Sequence, residues 1–244
     1  MRTMRRTAVL ALLLAVGGCG SGLAPRSFAT APSTVLLPLA VGNEWTYEVR
    51  YPAGDVAMLT MRVRGERYIE SRGMRATIVE ERGGIPGRAF AEVGTDLVAY
   101  YLRGGFVFRS AWLVARDAGL EDRGAELGDE RLLPLDPVRD VAWEGGYGLF
   151  DFGSRVLYQF HASSRLAPAS EAVSVPAGVF DRCVRIDTRV AATTPHAPTD
   201  RTIVHRYVEW YAPRVGLVKS QSFVDGTLEV GRADLVRFRV NDGS

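Results

Sequence analysis

The sequence predicts a mainly β protein, a single curved antiparallel sheet or half-barrel of about ten strands with little helix. Three observations predict it. Turn residues interrupt the chain at short intervals from Val35 onward. The runs between them are rich in β-branched and aromatic residues. Several runs alternate apolar with charged side chains, the pattern of a sheet with one buried and one wet face.

The strands follow in order. Trp45-Thr46-Tyr47-Glu48-Val49-Arg50-Tyr51 opens the series behind the turn pair Gly42-Asn43, and its alternation puts Trp45 and Tyr47 on one face. Met58 to Val63 and Arg75 to Glu81 come next. Leu97 to Leu102 and Phe106 to Val114 flank Gly104-Gly105, a hairpin turn. Ala115 to Leu127 reads as a loop with a helical turn at most, because Gly119 and Gly124 weaken a helix. Trp143 to Phe152, with its Gly145-Gly146 and Gly148, reads as a mobile loop carrying apolar rings over a pocket mouth. Val156 to His161, Arg182 to Val190 and Ile203 to Tyr211 are further strands. Leu217 to Val224 and Thr227 to Val230 flank Asp225-Gly226, a strong hairpin signal, and Leu235 to Val240 closes the chain. Short connections mean an antiparallel meander, not βαβ units. Arg62, Arg64, Arg185, Arg237 and Arg239 fall on wet positions, as solvated and edge-protecting charges.

The segment before Val35 has a different character. Arg2, Arg5 and Arg6 precede an apolar run from Ala8 to Val16, and the small pair Gly17-Gly18 follows, the layout of an export signal. The run is about half the ~20 residues a membrane-spanning helix needs. Val16-Gly17-Gly18-Cys19 resembles the lipobox of bacterial lipoproteins. That resemblance implies a diacylglycerol on the Cys19 thiol, cleavage just before Cys19 and acylation of its new amino group, palmitate being a typical chain. Several chains make a stable anchor where one is marginal. An ordinary secretory signal with an incidental cysteine is the alternative. Gly20, where enteric inner-membrane lipoproteins carry Asp, favours the outer membrane. The expected organisation is a lipoprotein signal peptide over 1–18, a lipid-anchored flexible tether over 19–34 and one antiparallel β-domain over 35–244. The tether, rich in Ser, Ala, Gly and Pro, has a reach of roughly 20 Å.

Processing changes the electrostatics. The leader carries three arginines and no acid, so a formal charge of +2 becomes −1 in the mature chain. A nearly neutral domain has no electrostatic footprint for nucleic acid. Lys219 is the single lysine of the sequence. Of the two cysteines, Cys19 is expected to be lipidated, which leaves Cys183 without an intrachain disulfide partner and best placed as a small buried residue.

Three further segments resemble a widespread set of uncharacterised bacterial lipoproteins. Pro38 to Tyr47 is similar to its PLxxGNxWTY opening, Val175 to Val184 to its VPAGxFxxCxxV hairpin, and Glu209 to Lys219 to its xWYAPxVGLVK segment. Such proteins are distantly likened to the periplasmic lipoprotein carrier, so the resemblance implies a curved antiparallel sheet with an apolar concave face. This chain lacks the long helices that plug the carrier's cavity.

No catalytic pattern emerges. His161, His196 and His205 match no metal motif, and no GxSxG, HExxH, Walker loop or CxxC occurs. Ser174 and Ser222 have no recognisable base. The acids Asp136/Asp140 and Glu80/Glu81 read as surface pairs, since nothing local predicts their desolvation. No cofactor or metal is expected. The candidate ligand-binding residues are aromatic: Trp45, Tyr47, Tyr100, Phe106, Phe108, Trp210 and Tyr211, set in strands where they line either a core or a pocket. The expected function is that of a membrane-anchored, non-catalytic periplasmic lipoprotein that binds a hydrophobic ligand or assists envelope assembly. Two alternatives stand beside it: a structural protein–protein module of the envelope, and a hydrolase whose site is dispersed along the chain.

Overall fold

The computed structural model describes residues 36–70, 73–84, 94–116, 119–122, 129–136, 141–151, 156–193, 203–224 and 228–241. Cys19, the leader and the tether lie outside these residues, as do Asp225-Gly226, His196 and Asp140.

The described residues form fourteen strands and no α-helix. They are β1 (Glu44–Arg50), β2 (Val56–Ile69), β3 (Met74–Gly84), β4 (Gly94–Arg103), β5 (Phe106–Arg116), β6 (Gly119–Asp122) and β7 (Glu130–Pro134). The second half gives β8 (Ala142–Asp151), β9 (Val156–Leu166), β10 (Glu171–Val175), β11 (Gly178–Thr193), β12 (Ile203–Ala212), β13 (Gly216–Val224) and β14 (Leu228–Arg239). One antiparallel sheet takes them all, in the order β6-β5-β4-β3-β2-β1-β14-β13-β12-β11-β9-β8, with β7 paired to β5 and β10 to β11. Most neighbours in space are neighbours in sequence, as hairpin connections require. Besides β9 against β11 and β5 against β7, which each skip one strand, the long-range exception is β1 against β14, where Glu44 faces Arg239 and Arg50 faces Arg232. That pairing joins the two halves of the chain, so the sheet curls until it is nearly a barrel.

Bulges supply part of the curl. Register shifts fall at Thr46/Tyr47, Val63/Gly65, Trp210/Tyr211 and Ser222/Phe223, and each adds local twist and bend. At Gly65 the backbone has φ 144°, a conformation that glycine tolerates and that lets the long β2 bend.

The expected mainly β, single-sheet class is what the chain adopts, with more strands than the ten expected. The largest correction is the segment expected as a loop from Trp143 to Phe152: up to Asp151 it is the body of β8, and Phe152 lies outside the described residues. Its glycines explain the misreading: a Cβ on Gly146 would sit 3.3 Å from the carbonyl oxygen of Phe160 on β9. Glycine there serves close approach of two backbones instead of a turn. Ala115 to Leu127 is likewise not all loop, since β5 runs to Arg116 and Gly119–Asp122 forms β6 against it. The two segments expected at the C-terminus are one strand, β14. Its mid-strand Gly231 leaves room for Ser222, whose hydroxyl donates to the Gly231 carbonyl at 3.2 Å.

The seam between the ends of the sheet has no backbone ladder among the described residues. Side chains hold it. The Trp143 indole on β8 donates to the Arg131 carbonyl on β7 at 3.1 Å, and its ring lies 6.0 Å from that of Phe106 on β5.

The main core sits on the inward face, with Trp45, Val63, Val79, Val98, Ile186, Val218 and Leu235 all buried. A second cluster lies on the outward face of β3–β5, built from Ile69, Ala76, Ile78, Ala99, Tyr101 and Phe108. Those strands are therefore apolar on both faces, unlike the one-wet-face expectation, which accounts for the unbroken run Val98-Ala99-Tyr100-Tyr101-Leu102. Polar groups roof the outer cluster: Tyr101 donates to Asp129, and the Arg103 guanidinium lies 4.4 Å from the centre of the Phe108 ring.

Candidate functional site

Alternation along three adjacent strands carries charge into the interior. On β3, Thr77, Val79 and Glu81 point inward; on β4, Val98 and Tyr100; on β5, Val107 and Arg109. Glu81 is 2% exposed and the Arg109 guanidinium lies 3.3 Å from both its carboxylate oxygens. Tyr100, opposite Arg109 in the register, donates to Glu81 at 3.4 Å. In a buried pair of this kind each partner offsets part of the hydration the other has lost.

The far side of the interior completes the group. Glu209 on β12 is partly buried, and desolvation raises its carboxyl above the ordinary range. A hydrogen bond from the Tyr211 hydroxyl at 3.1 Å and the positive charge of Arg109 both oppose that rise. Tyr47 on β1 donates to the Leu217 carbonyl at 3.0 Å. Burial drives its hydroxyl well above the ordinary tyrosine value, and Tyr100, Glu81 and Glu209 push the same way. One arginine therefore faces two carboxylates inside an apolar shell, with three tyrosines around it. That arrangement suits holding and orienting a polar group.

The expected aromatic residues divide. Trp45, Tyr47, Tyr100 and Tyr211 all lie on the inward face, each no more than 3% exposed. Phe106 packs at the edge of both clusters, and Phe108 belongs to the outward one. Trp210 is half-buried against the main core, and its indole donates to Glu171 at 3.0 Å while the Lys219 ammonium lies 5.0 Å from its ring. Around it runs a chain of charges: Arg206 to Asp187 at 2.6 Å, Arg185 to Asp187 at 3.0 Å, Arg185 to Glu171 at 2.6 Å. The seven aromatics thus do not form one surface.

The three resemblance motifs do meet. The Trp45 indole donates to the Val215 carbonyl at 2.5 Å, and Gly216 (φ 106°) packs so closely that a Cβ there would lie 3.2 Å from the indole nitrogen. The second motif meets the third in the β11/β12 register, where Val184 lies opposite Tyr211, and its turn residue Ala177 donates from its backbone to the Leu235 carbonyl at 3.0 Å. The motif residues are joints between distant parts of the sheet.

Glu81 is not a surface acid; tertiary packing desolvates it, which no local pattern announces. Its signal was an acid and an arginine, Glu81 and Arg109, each at a position alternating with inward Val79 and Val107. Glu80, its neighbour, does face outward and pairs with Arg64. Cys183 is fully buried, and burial pushes its thiol up to about 11, so it is an inert packing residue at neutral pH. Among the described residues, no group of three His, Cys, Asp or Glu side chains is placed to hold a metal ion. His161 is exposed on β9.

The chain is similar in fold to a solved structure of a candidate lipoprotein from Parabacteroides distasonis ATCC 8503, at TM-score 0.60 and 15% identity, covering 85% of this chain and 100% of that one. A candidate exported protein with a YmcC-like fold from Bacteroides fragilis NCTC 9343 aligns at TM-score 0.46 and 16% identity, over 84% of this chain and 99% of that one. The fold comparison rests on the first. No curated protein matches the chain. Residues 155–233, which run from β9 into β14, match the DUF3108-like family model.

Proposed function

We propose that this chain is a lipid-anchored protein of the bacterial cell envelope, held at the outer membrane by acylated Cys19 and facing the periplasm. It works without catalysis, binding a hydrophobic ligand or assisting envelope assembly through the inward face of its sheet. The observation that carries this reading is the β7/β8 seam. A nearly closed sheet with an apolar interior meets itself there through the Trp143 indole and a ring contact instead of a ladder. Side-chain contacts part more readily than a row of backbone hydrogen bonds, so the seam is the route by which an acyl chain reaches the interior. Arg109, Glu81 and the tyrosines then meet the polar end of the ligand. Organic extraction of protein purified from membranes, read by mass spectrometry, tests the reading. A lipid recovered in near-stoichiometric amount supports it; an empty protein that takes up no fatty-acid probe contradicts it.

A second reading, a docking module for another envelope protein, is favoured by the edge of β8 that meets β7 at the seam through side chains alone. That edge has no strand partner among the described residues and carries Gly145, Gly146 and Gly148, small residues that admit an added strand. Affinity capture that yields a stoichiometric protein and no lipid would select it.

A further inference from the structure

The outward face of the β1/β14 pair holds a depression of about 240 Å³, lined by Glu44, Thr46, Arg237, Phe238 and Arg239. The register explains its chemistry. Arg237 lies opposite Thr46 and Arg239 opposite Glu44, so two guanidinium groups stand on one face two residues apart. Arg62 reaches the same place from β2, opposite Glu44 on its other side. Among the described residues, Glu44 pairs with two of the three arginines, and only at long range, 3.9 Å from Arg62 and 3.7 Å from Arg239. Thr46 is 7% exposed, yet its hydroxyl has no hydrogen-bond partner. A buried hydroxyl without a partner costs about 1–3 kcal/mol unless something completes it. An oxyanion seated between Arg237 and Arg239 would accept from all three groups.

The surroundings say which oxyanion. Phe238 is 37% exposed and packs on Phe180, with ring centres 5.8 Å apart; the next residue, Val179, is 68% exposed. Val41 is 61% exposed at the turn before β1, where Asn241 donates to its carbonyl. Phe238 lies opposite Trp45 in the register, on the other side of the strand pair from the two arginines, and borders the hollow at the rim of the sheet; apolar and positively charged groups thus meet at that rim, the pairing that suits the boundary between phospholipid headgroups and acyl chains. The tether leaves from the same end. The described chain begins at Leu36, and the Pro38 carbonyl is held by Asn43, the residue before Glu44, at 2.8 Å. Only residues 20–35 separate it from Cys19.

We infer that this face binds an anionic phospholipid surface, with one headgroup phosphate seated against Thr46, Arg237 and Arg239 and with Phe238, Val179 and Val41 entering the headgroup layer. The inference rests on the anchored reading for its orientation and not for its binding. Contact on this face leaves the β7/β8 seam clear of the tether's end of β1 and turns a loose anchor into a fixed pose.

The test uses the full-length Cys19→Ser chain, which cannot be acylated there, with and without Arg237→Gln/Arg239→Gln. Both carry the same leader, so the leader's own affinity cancels. Both substituted arginines are exposed, and matching thermal unfolding of the two chains verifies that folding is unaffected. Co-sedimentation is measured with phosphatidylcholine vesicles, with vesicles holding an equal share of phosphatidylglycerol, and in the presence of inorganic phosphate. Two arginines at a charged surface correspond to a roughly thirtyfold loss of affinity. The expected result is that loss on the anionic vesicles, together with weakening by salt and a few-fold loss for Thr46→Val. Equal binding by the two chains, or equal binding to both vesicle types, overturns the inference. So does a site that binds inorganic phosphate while ignoring vesicles. Failure of the anchor would show separately, as wild-type protein without acyl label.

Discussion

Arg109 reaches across from β5 to β3 and sets one guanidinium nitrogen 3.3 Å from each carboxylate oxygen of Glu81, inside the apolar face of the sheet. Neither side chain has water to fall back on: Glu81 is 2% exposed and Arg109 7% by side chain. Removing one partner strands a buried charge, which costs about 3–5 kcal/mol, whereas replacing both with apolar groups of similar size is close to neutral. Arg109→Met is therefore expected to lower stability by about 3–5 kcal/mol in urea unfolding, and Glu81→Leu/Arg109→Met to recover most of it. A double variant as unstable as the single one would mean that Arg109 serves another partner more than Glu81.

Glu209 sets a pH dependence. Desolvation raises its carboxyl in the folded chain above the unfolded value of about 4.3. A proton is therefore bound more tightly when the chain is folded. The stability this contributes is fully present below the unfolded value and is lost as pH rises through the folded one. Glu209→Gln mimics the protonated acid. It is expected to remove that part of the slope, so wild type and variant differ least at the acidic end and most above the raised value. Parallel curves across the whole range would show that Glu209 titrates normally.

At the seam, the Trp143 indole donates to the Arg131 carbonyl at 3.1 Å. Trp143→Phe keeps a ring against Phe106 and loses that bond, with an expected cost of about 0.5–1.5 kcal/mol. Trp143→Ala also empties buried space, with an expected cost of about 3–5 kcal/mol. Hydrogen exchange provides the informative readout. Amides of β7 and β8 should exchange faster in Trp143→Phe while those of β1 and β14 stay protected. Uniform acceleration across the sheet would contradict a locally opening seam.

Sheet character was legible because period-two alternation and turn pairs are local signals. Trp45 and Tyr47 share the inward face as their spacing requires, and Gly104-Gly105 turns the β4/β5 hairpin with φ 56° and 79°. What failed depended on distant contacts. The glycines of β8 look like loop residues until Phe160 is seen pressing against Gly146. Glu81 looks like a surface acid until Arg109, 28 residues later, is folded over it. The aromatics could be assigned to strands, but which face of a two-sided core each one joins is set by the sheet's closure. Tyr100 and Tyr101 are adjacent and end up in different clusters.

On the reading proposed above, acylation of the thiol at position nineteen ties this β-sheet to a membrane, and metabolic labelling with radioactive palmitate reads it. Wild-type chain should carry label, begin at Cys19 after processing and sediment with outer membranes. Cys19→Ser should carry none and leave that fraction. An unlabelled wild-type chain that fractionates like Cys19→Ser would contradict the anchored role.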